Sequence, residues 1–566
     1  MRNGHSNHVP PALTGAVGAP AAMPPAHRWT LIGLSLFLLF LGLVPRELWG
    51  VDEPLVGTII REMVVDGQWL VPHLNGELYA EKPPLYFWLS ALPALLTGTL
   101  LPLWFRLPST LAAIGCLWLT YRMGIRLFNA RTGLLAASIL ATSLLFALSS
   151  QITRMDMPLV WLIMAILYSF VRFVQEESPA AADRWALAIY PLVGLAFLTK
   201  GPIGPVVPAF VIGSVLLWQR DWRSVARLRP IVGPLLACAV VLPWLIPAVL
   251  QEGVDYAKIL ILQQSVGRAI SSFSHSRPFY YYLYTFPVTF LPWLLFLPGA
   301  FWWLWRQRES LGWRGPFLVS WTLGLFLFFS VMSGKLVIYL LPLFPGLALI
   351  IAAWWNSFLS APDATGEAAG RRWLTGLTVA SVAIFPIAAI VTTIGRFTPP
   401  EIPFWLPLTT AGATVLVALA VFRQLRQPVP LRLFAALLIA TGLALAIARV
   451  AIIRLDDVQS PTRLGFFLRE YKDDVEAMAI YKVRAGMLNF YAEHRFDQLA
   501  EPADVQRYMS RPTPALCVID SRALLKVWTV LPPDLRVLKE ERMGRLRLFV
   551  IANAAVPPPG GVTGDP

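Results

Sequence analysis

Charge is scarce in this chain of 566 residues: only 14% are Asp, Glu, Lys or Arg, where a soluble globular protein carries roughly a quarter. That excludes water as its main solvent. Cysteine is nearly absent too. Of the three cysteines, Cys116 and Cys238 lie inside apolar runs and Cys517 stands alone in the C-terminal region, so no disulfide framework is expected. There is no P-loop, no dinucleotide fingerprint, no HExxH and no CxxC cluster, and nothing therefore points to a bound nucleotide or a structural zinc. Any activated donor would have to arrive through the membrane.

What the chain has in abundance is hydrocarbon. Hydrophobic residues make up 56% of it, and the mean hydropathy is +0.60. Runs such as 29–44, 157–171, 231–250 and 374–394 are each near the ~20 residues that cross a bilayer as helix. The expected fold class is an all-α polytopic membrane protein. The formal charge of +14 sits in short clusters between these runs rather than in one patch, which argues for cytoplasmic anchoring and against nucleic acid. Arg122/Arg126/Arg131, Arg220/Arg223/Arg227/Arg229, Arg306/Arg308/Arg314, Arg371/Arg372 and Arg423/Arg426 mark that side. The opposite side receives the loop 45–84, the turns at Arg154–Asp156, Lys200 and Ser333–Lys335, the stretch 251–282 and the C-terminal region. Counting spans of ~20 residues gives about 13 crossings, with the N-terminus cytoplasmic and the C-terminus outside. Parity requires one of the runs 85–101 and 105–121 to be short or re-entrant. The expected organisation is a disordered tail over 1–28 and a membrane domain over 29–454, with outer loops 45–84 and 251–282. A small soluble α/β domain over 455–553, with strand-like stretches at 477–483, 515–519 and 546–551, and a tail over 554–566 complete it.

The first outer loop concentrates acids, bases and aromatics. Asp52-Glu53 follows the first apolar run directly, where a carboxylate is costly unless it pairs with a cation or faces a water-filled cavity. Such an acid serves as general base or metal ligand; the bland alternative is a solvated acid at the start of a short helix. In Glu81-Lys82-Pro83-Pro84 two prolines fix the chain where it re-enters the membrane and hold Glu81 and Lys82 at headgroup height. Lys200 and Lys335 repeat that placement between apolar runs on the same face. One such lysine would simply snorkel to the headgroups. Three, with Arg154 and Arg268, suggest a site for a polyanionic group. Asp156 begins a helix and serves either as its cap or as part of that site. His275 reads as a surface histidine or, paired with Glu81, as a metal ligand, although two donors fall short of a shell.

These motifs, taken in order, resemble the GT-C glycosyltransferases that use lipid-linked sugars, specifically the aminoarabinose lipid A transferases and their protein-mannosyltransferase-like relatives. The resemblance rests on Asp52-Glu53-Pro54 with Arg61-Glu62-Met63, the run 67–76, Tyr79 to Leu85, Arg106-Leu107-Pro108-Ser109, Arg154 to Met157, Thr199 to Pro202, His275 to Phe279, and Ser333 to Leu336 with Tyr339 and 341–345. It implies a multi-pass enzyme of the bacterial inner membrane that moves a sugar, such as 4-amino-4-deoxy-L-arabinose, from a polyprenyl phosphate carrier to lipid A or another envelope glycolipid at the periplasmic face. It assigns the catalytic acids to Asp52 and Glu53, the carrier phosphate and substrate to Lys82, Arg154, Asp156, Lys200, Arg268, Lys335 and Tyr339, and a divalent metal ion to Glu81 and His275. One departure stands out. The family usually reads Asp-Glu-x-Arg-Tyr-Ala-Glu, and here Leu55, Val56, Gly57 and Thr58 follow Pro54, without the arginine. Two other readings stay open: a protein hydroxyl as acceptor, and a flippase that uses the same cations without breaking a bond.

Overall fold

The computed structural model describes residues 23–267, 276–360, 367–394, 405–423, 429–544 and 546–556. The chain divides into two compact units, one of Met1–Val44, Ala80–Tyr86 and Arg106–Ala451, the other of Pro45–Tyr79, Phe87–Phe105 and Ile452–Pro566.

The first unit is helical because lipid offers no partner to a backbone N–H or C=O, so each apolar run satisfies its own. Among the described residues eight helices are long and apolar enough to cross a membrane, or nine if the bent pair Tyr281–Thr289 and Trp293–Arg306 counts as one span. The chain is thus a multi-pass membrane protein. Leu85–Thr97, Ala130–Thr142 and Ile203–Gln219 are apolar but shorter, so the expected figure of about 13 depends on how short helices are counted. Of the two runs weighed for parity, Leu85–Thr97 has 13 residues and Pro102–Leu127 has 26. Two spans form the centre of the unit: Asp156–Gln175 is 72% buried and Val337–Leu359 is 83% buried, whereas Val232–Glu252 is 17% buried. The core gathers Ile163, Phe170, Trp293, Trp321 and Trp355.

The second unit joins two pieces that are far apart in sequence, the first loop and the C-terminal region. Its five-stranded sheet runs β4-β3-β5-β7-β6, with β3 at Ala477–Tyr481, β4 at Asp497–Leu499, β5 at Ala515–Asp520, β6 at Arg536–Met543 and β7 at Leu546–Ala552 (β1 and β2 follow below). Pairs β3/β4 and β3/β5 are parallel, and β5/β7 and β6/β7 are antiparallel. Side chains alternate between faces along a strand. Met478, Ile480, Leu516 and Val518 accordingly pack on one side with Leu464 and Leu468 of the helix Thr462–Glu470. Ala479, Tyr481, Cys517 and Ile519 pack on the other with Val505, Tyr508 and Val527 from the helices Pro502–Met509 and Ser521–Val527. Helices on both faces explain why these strands read as continuous apolar runs.

The loop contributes a helix, Asp52–Val65, and a hairpin of β1, His73–Leu74, with β2, Glu77–Leu78. Asn75 and Gly76 between them both have positive φ, 60° and 79°, the pattern of a two-residue hairpin turn. Asn75 also anchors the loop. Its amide donates to the carbonyl of Phe496 at 2.8 Å and its oxygen accepts from the N–H of Phe496 at 2.8 Å.

Candidate active site

Asp156 is the first residue of its helix and not its cap, a position held by Met155. Its carboxylate, 6% exposed, goes instead to Lys200 Nζ at 2.5 Å and to Arg154 Nε at 3.2 Å. Asp156 thus gathers two cations in a largely buried place. Lys200 is set by its helix. It is the last residue of Pro179–Lys200, where the helix dipole favours a cation, and Gly201 at φ 74° stops the helix there. Its ammonium lies 4.8 Å from the centre of the Tyr339 ring, a cation–π contact that holds it without neutralising it. The carbonyl of Arg154 accepts from the Ser109 hydroxyl at 2.9 Å, which fixes the turn.

Lys335, almost fully buried, donates to the carbonyls of Met332 and, at 3.0 Å, Arg277. Burial holds its ammonium below the usual lysine range. Two of its three donors are used in this way. The segment is held in place by the N–H of Arg277 on the carbonyl of Ser333 at 3.2 Å and by the Tyr282 hydroxyl on the carbonyl of Leu336 at 3.1 Å. Glu81 and Lys82 are half-buried in the short segment Ala80–Tyr86 of the same unit. Arg268 and His275 lie outside the described residues. Among the described residues no group of three or more His, Cys, Asp or Glu is arranged to hold a metal ion.

In the second unit the two neighbouring acids part company. Glu53 is buried, and both its oxygens meet Arg46, at 2.6 and 3.0 Å. It also accepts from the N–H of Trp49 at 2.8 Å, and the Arg46 guanidinium stacks 4.6 Å from the Trp49 ring. Asp52 is half exposed and pairs with Arg484 Nη1 at 3.4 Å. Glu62 accepts from the N–H of Gly76 at 3.1 Å, and burial raises its carboxyl above the usual range.

The structure therefore brings together Arg154, Asp156, Lys200 and Tyr339. It ties Lys335 to backbone carbonyls, and it commits Glu53 to Arg46. Arg46 and Arg484 are additions that the motifs did not single out. A cation seven residues before Glu53 was visible in the sequence; Arg484 stands 432 residues from Asp52 and left no local signal.

The profile of the dolichyl-phosphate-mannose-protein mannosyltransferase family matches residues 81–246. The undecaprenyl phosphate-alpha-4-amino-4-deoxy-L-arabinose arabinosyl transferase of Aeromonas hydrophila is 32% identical over 62% of this chain and 63% of its own length. The protein of the same name from Edwardsiella ictaluri is 32% identical over 65% of each. The chain thus spans a little under two thirds of these relatives. The crystal structure of ArnT from Cupriavidus metallidurans bound to undecaprenyl phosphate superposes with a TM-score of 0.78 at 22% identity, covering 94% of this chain and 100% of that one.

Proposed function

From the premise that the chain resembles the aminoarabinose transferases of the GT-C type in both sequence and fold, we propose that it is a polyprenyl-phosphate-dependent glycosyltransferase. It takes a sugar, 4-amino-4-deoxy-L-arabinose or a related one, from undecaprenyl phosphate and passes it to lipid A or another envelope glycolipid at the periplasmic face of the inner membrane. The observation that carries this reading is the largely buried cluster of Lys200 and Arg154 on Asp156, two cations gathered on one face of the kind a phosphate needs.

The chemistry follows from the leaving group. As the bond from sugar to phosphate breaks, negative charge grows on the phosphate oxygens, and cations already in place stabilise it without reorganising. Lys200 and Arg154 take that role, with Asp156 and Tyr339 holding Lys200 in position, and Lys82, Lys335 and Arg268 are the further cations we assign to it. Asp52 is the carboxylate assigned to the acceptor. It takes the proton of a hydroxyl acceptor, or orients a phosphate acceptor that needs no base. Glu53 holds the loop through Arg46. Glu81 and His275 are the donors that would hold a divalent ion; the described residues do not complete a shell around Glu81, and no step is routed through a metal.

A protein hydroxyl as acceptor is the second reading, favoured by the mannosyltransferase profile over 81–246. Mass spectrometry of lipid A from cells with the intact gene, without it, or with Asp52→Ala separates the two. A sugar-sized increment confined to the intact gene is the expected result. Glycosylated secreted proteins beside unmodified lipid A would move the conclusion to the second reading. Identical profiles of both lipid A and secreted proteins in all three strains, with the protein present, would overturn it.

A further inference from the structure

The positions where the chain departs from the family's run are occupied in a coherent way. Leu55 borders Gly486, whose added Cβ would come within 3.3 Å of the Leu55 Cα. Gly57 leaves room for the Phe490 ring and Leu48. The Thr58 hydroxyl donates to the carbonyl of Gly486 at 3.0 Å. One stretch of the C-terminal region thus lies along the first turns of the helix Asp52–Val65, and it is fastened there. The N–H of Gly486 donates to Asn489 at 2.9 Å, and Asn489 donates to Asn75 at 2.5 Å. The Tyr491 hydroxyl accepts from the N–H of Leu48 at 2.8 Å and donates to Glu47 at 2.7 Å. Met487 and Leu488 are fully buried. Out of this pinned stretch Arg484 reaches the Asp52 carboxylate at 3.4 Å, with both side chains half exposed.

We propose that Arg484 is a positioning residue for Asp52, so that the C-terminal region supplies a cation to the active loop. A basic side chain at position 55 would lie one helical turn from Asp52 and on the same face; that position holds Leu55, turned into the contact with Gly486. An exposed ion pair contributes little to stability. Its effect here is on direction: the backbone that carries the guanidinium is fastened by the contacts around Gly486, and the guanidinium draws the carboxylate toward one rotamer. A misplacement of about 1 Å in a reacting group costs up to about 100-fold in rate. The inference rests on the reading of Asp52 as the acting carboxylate.

The test is a transfer assay on the full-length protein with undecaprenyl phosphate-linked 4-amino-4-deoxy-L-arabinose as donor and lipid A as acceptor, comparing wild type, R484A, R484K and D52A. Arg484→Ala should lower kcat about tenfold or more, leave the donor KM within about twofold and leave Tm unchanged. Arg484→Lys keeps the charge and should recover most of the loss. With D52A inactive, wild-type kcat in R484A overturns the inference and leaves the reading of Asp52 standing. Full activity in D52A, or no product from wild type with this pair, overturns that reading itself. Loss of kcat in both Arg484 variants together with a fall in Tm makes the residue merely structural and also overturns the inference.

Discussion

Asp52 and Glu53 are adjacent and chemically alike, yet their surroundings give them different work. Glu53 is sealed against Arg46 with its oxygens spent on guanidinium and backbone, while Asp52 keeps a half-exposed carboxylate. Removing one partner of a buried pair leaves the other charge in low dielectric, at a cost of roughly 3–5 kcal/mol. Glu53→Ala should therefore lower the melting temperature of the purified protein clearly, whereas Asp52→Ala should abolish transfer and leave the melt nearly unchanged. Equal melts for the two variants would argue against this division. The pair was legible in the sequence as a costly juxtamembrane acid cluster. Which acid would be the exposed one was not, because Arg46 became its partner only through the fold of the loop. Likewise, the placement of Lys200 on a polar turn was readable, but its contacts with Asp156 and Tyr339 are made by separate helices.

At the level of elements, the strands expected at 477–483, 515–519 and 546–551 form over Ala477–Tyr481, Ala515–Asp520 and Leu546–Ala552. They were readable because burial on both faces makes most of their positions apolar, Arg547 being an exposed exception. Arg536–Met543 was missed for the opposite reason: it is the edge strand, and Arg536, Lys539, Glu540, Glu541 and Arg542 hide its alternation. The hairpin at 73–78 carried the Asn75-Gly76 signal in plain view. The contact between the stretch around Gly486 and the helix Asp52–Val65 had none. Gly486 sits at φ 84°, and an added Cβ would come within 2.5 Å of the Leu74 side chain. Strain and clash together predict that Gly486→Ala destabilises this unit by about 1–3 kcal/mol. Thermal melts in detergent check the figure, and a wild-type melt would show that the stretch can shift without loss.

For the whole molecule, the membrane helices announce themselves by length and composition, and the grouping of the remaining parts does not. The loop 45–79 and the region after 451 look like separate features along the chain and form one compact unit in space. A chain ending at 451 would retain the apolar spans and lose the partners of Leu48, Thr58 and Asn75. Such a chain should still extract with the membrane fraction, show rapid proteolysis within 45–79 and give no transfer product. Protection of that loop in the truncated chain would mean that it folds on its own.

That same union orders events in time. Asp52 leaves the ribosome before its partner Arg484, which follows 432 residues later; at roughly 5–20 residues per second that amounts to some tens of seconds. Throughout that interval the loop has no sheet to dock on. A polypeptide whose synthesis is cut short before Arg484 thus carries an unfinished loop.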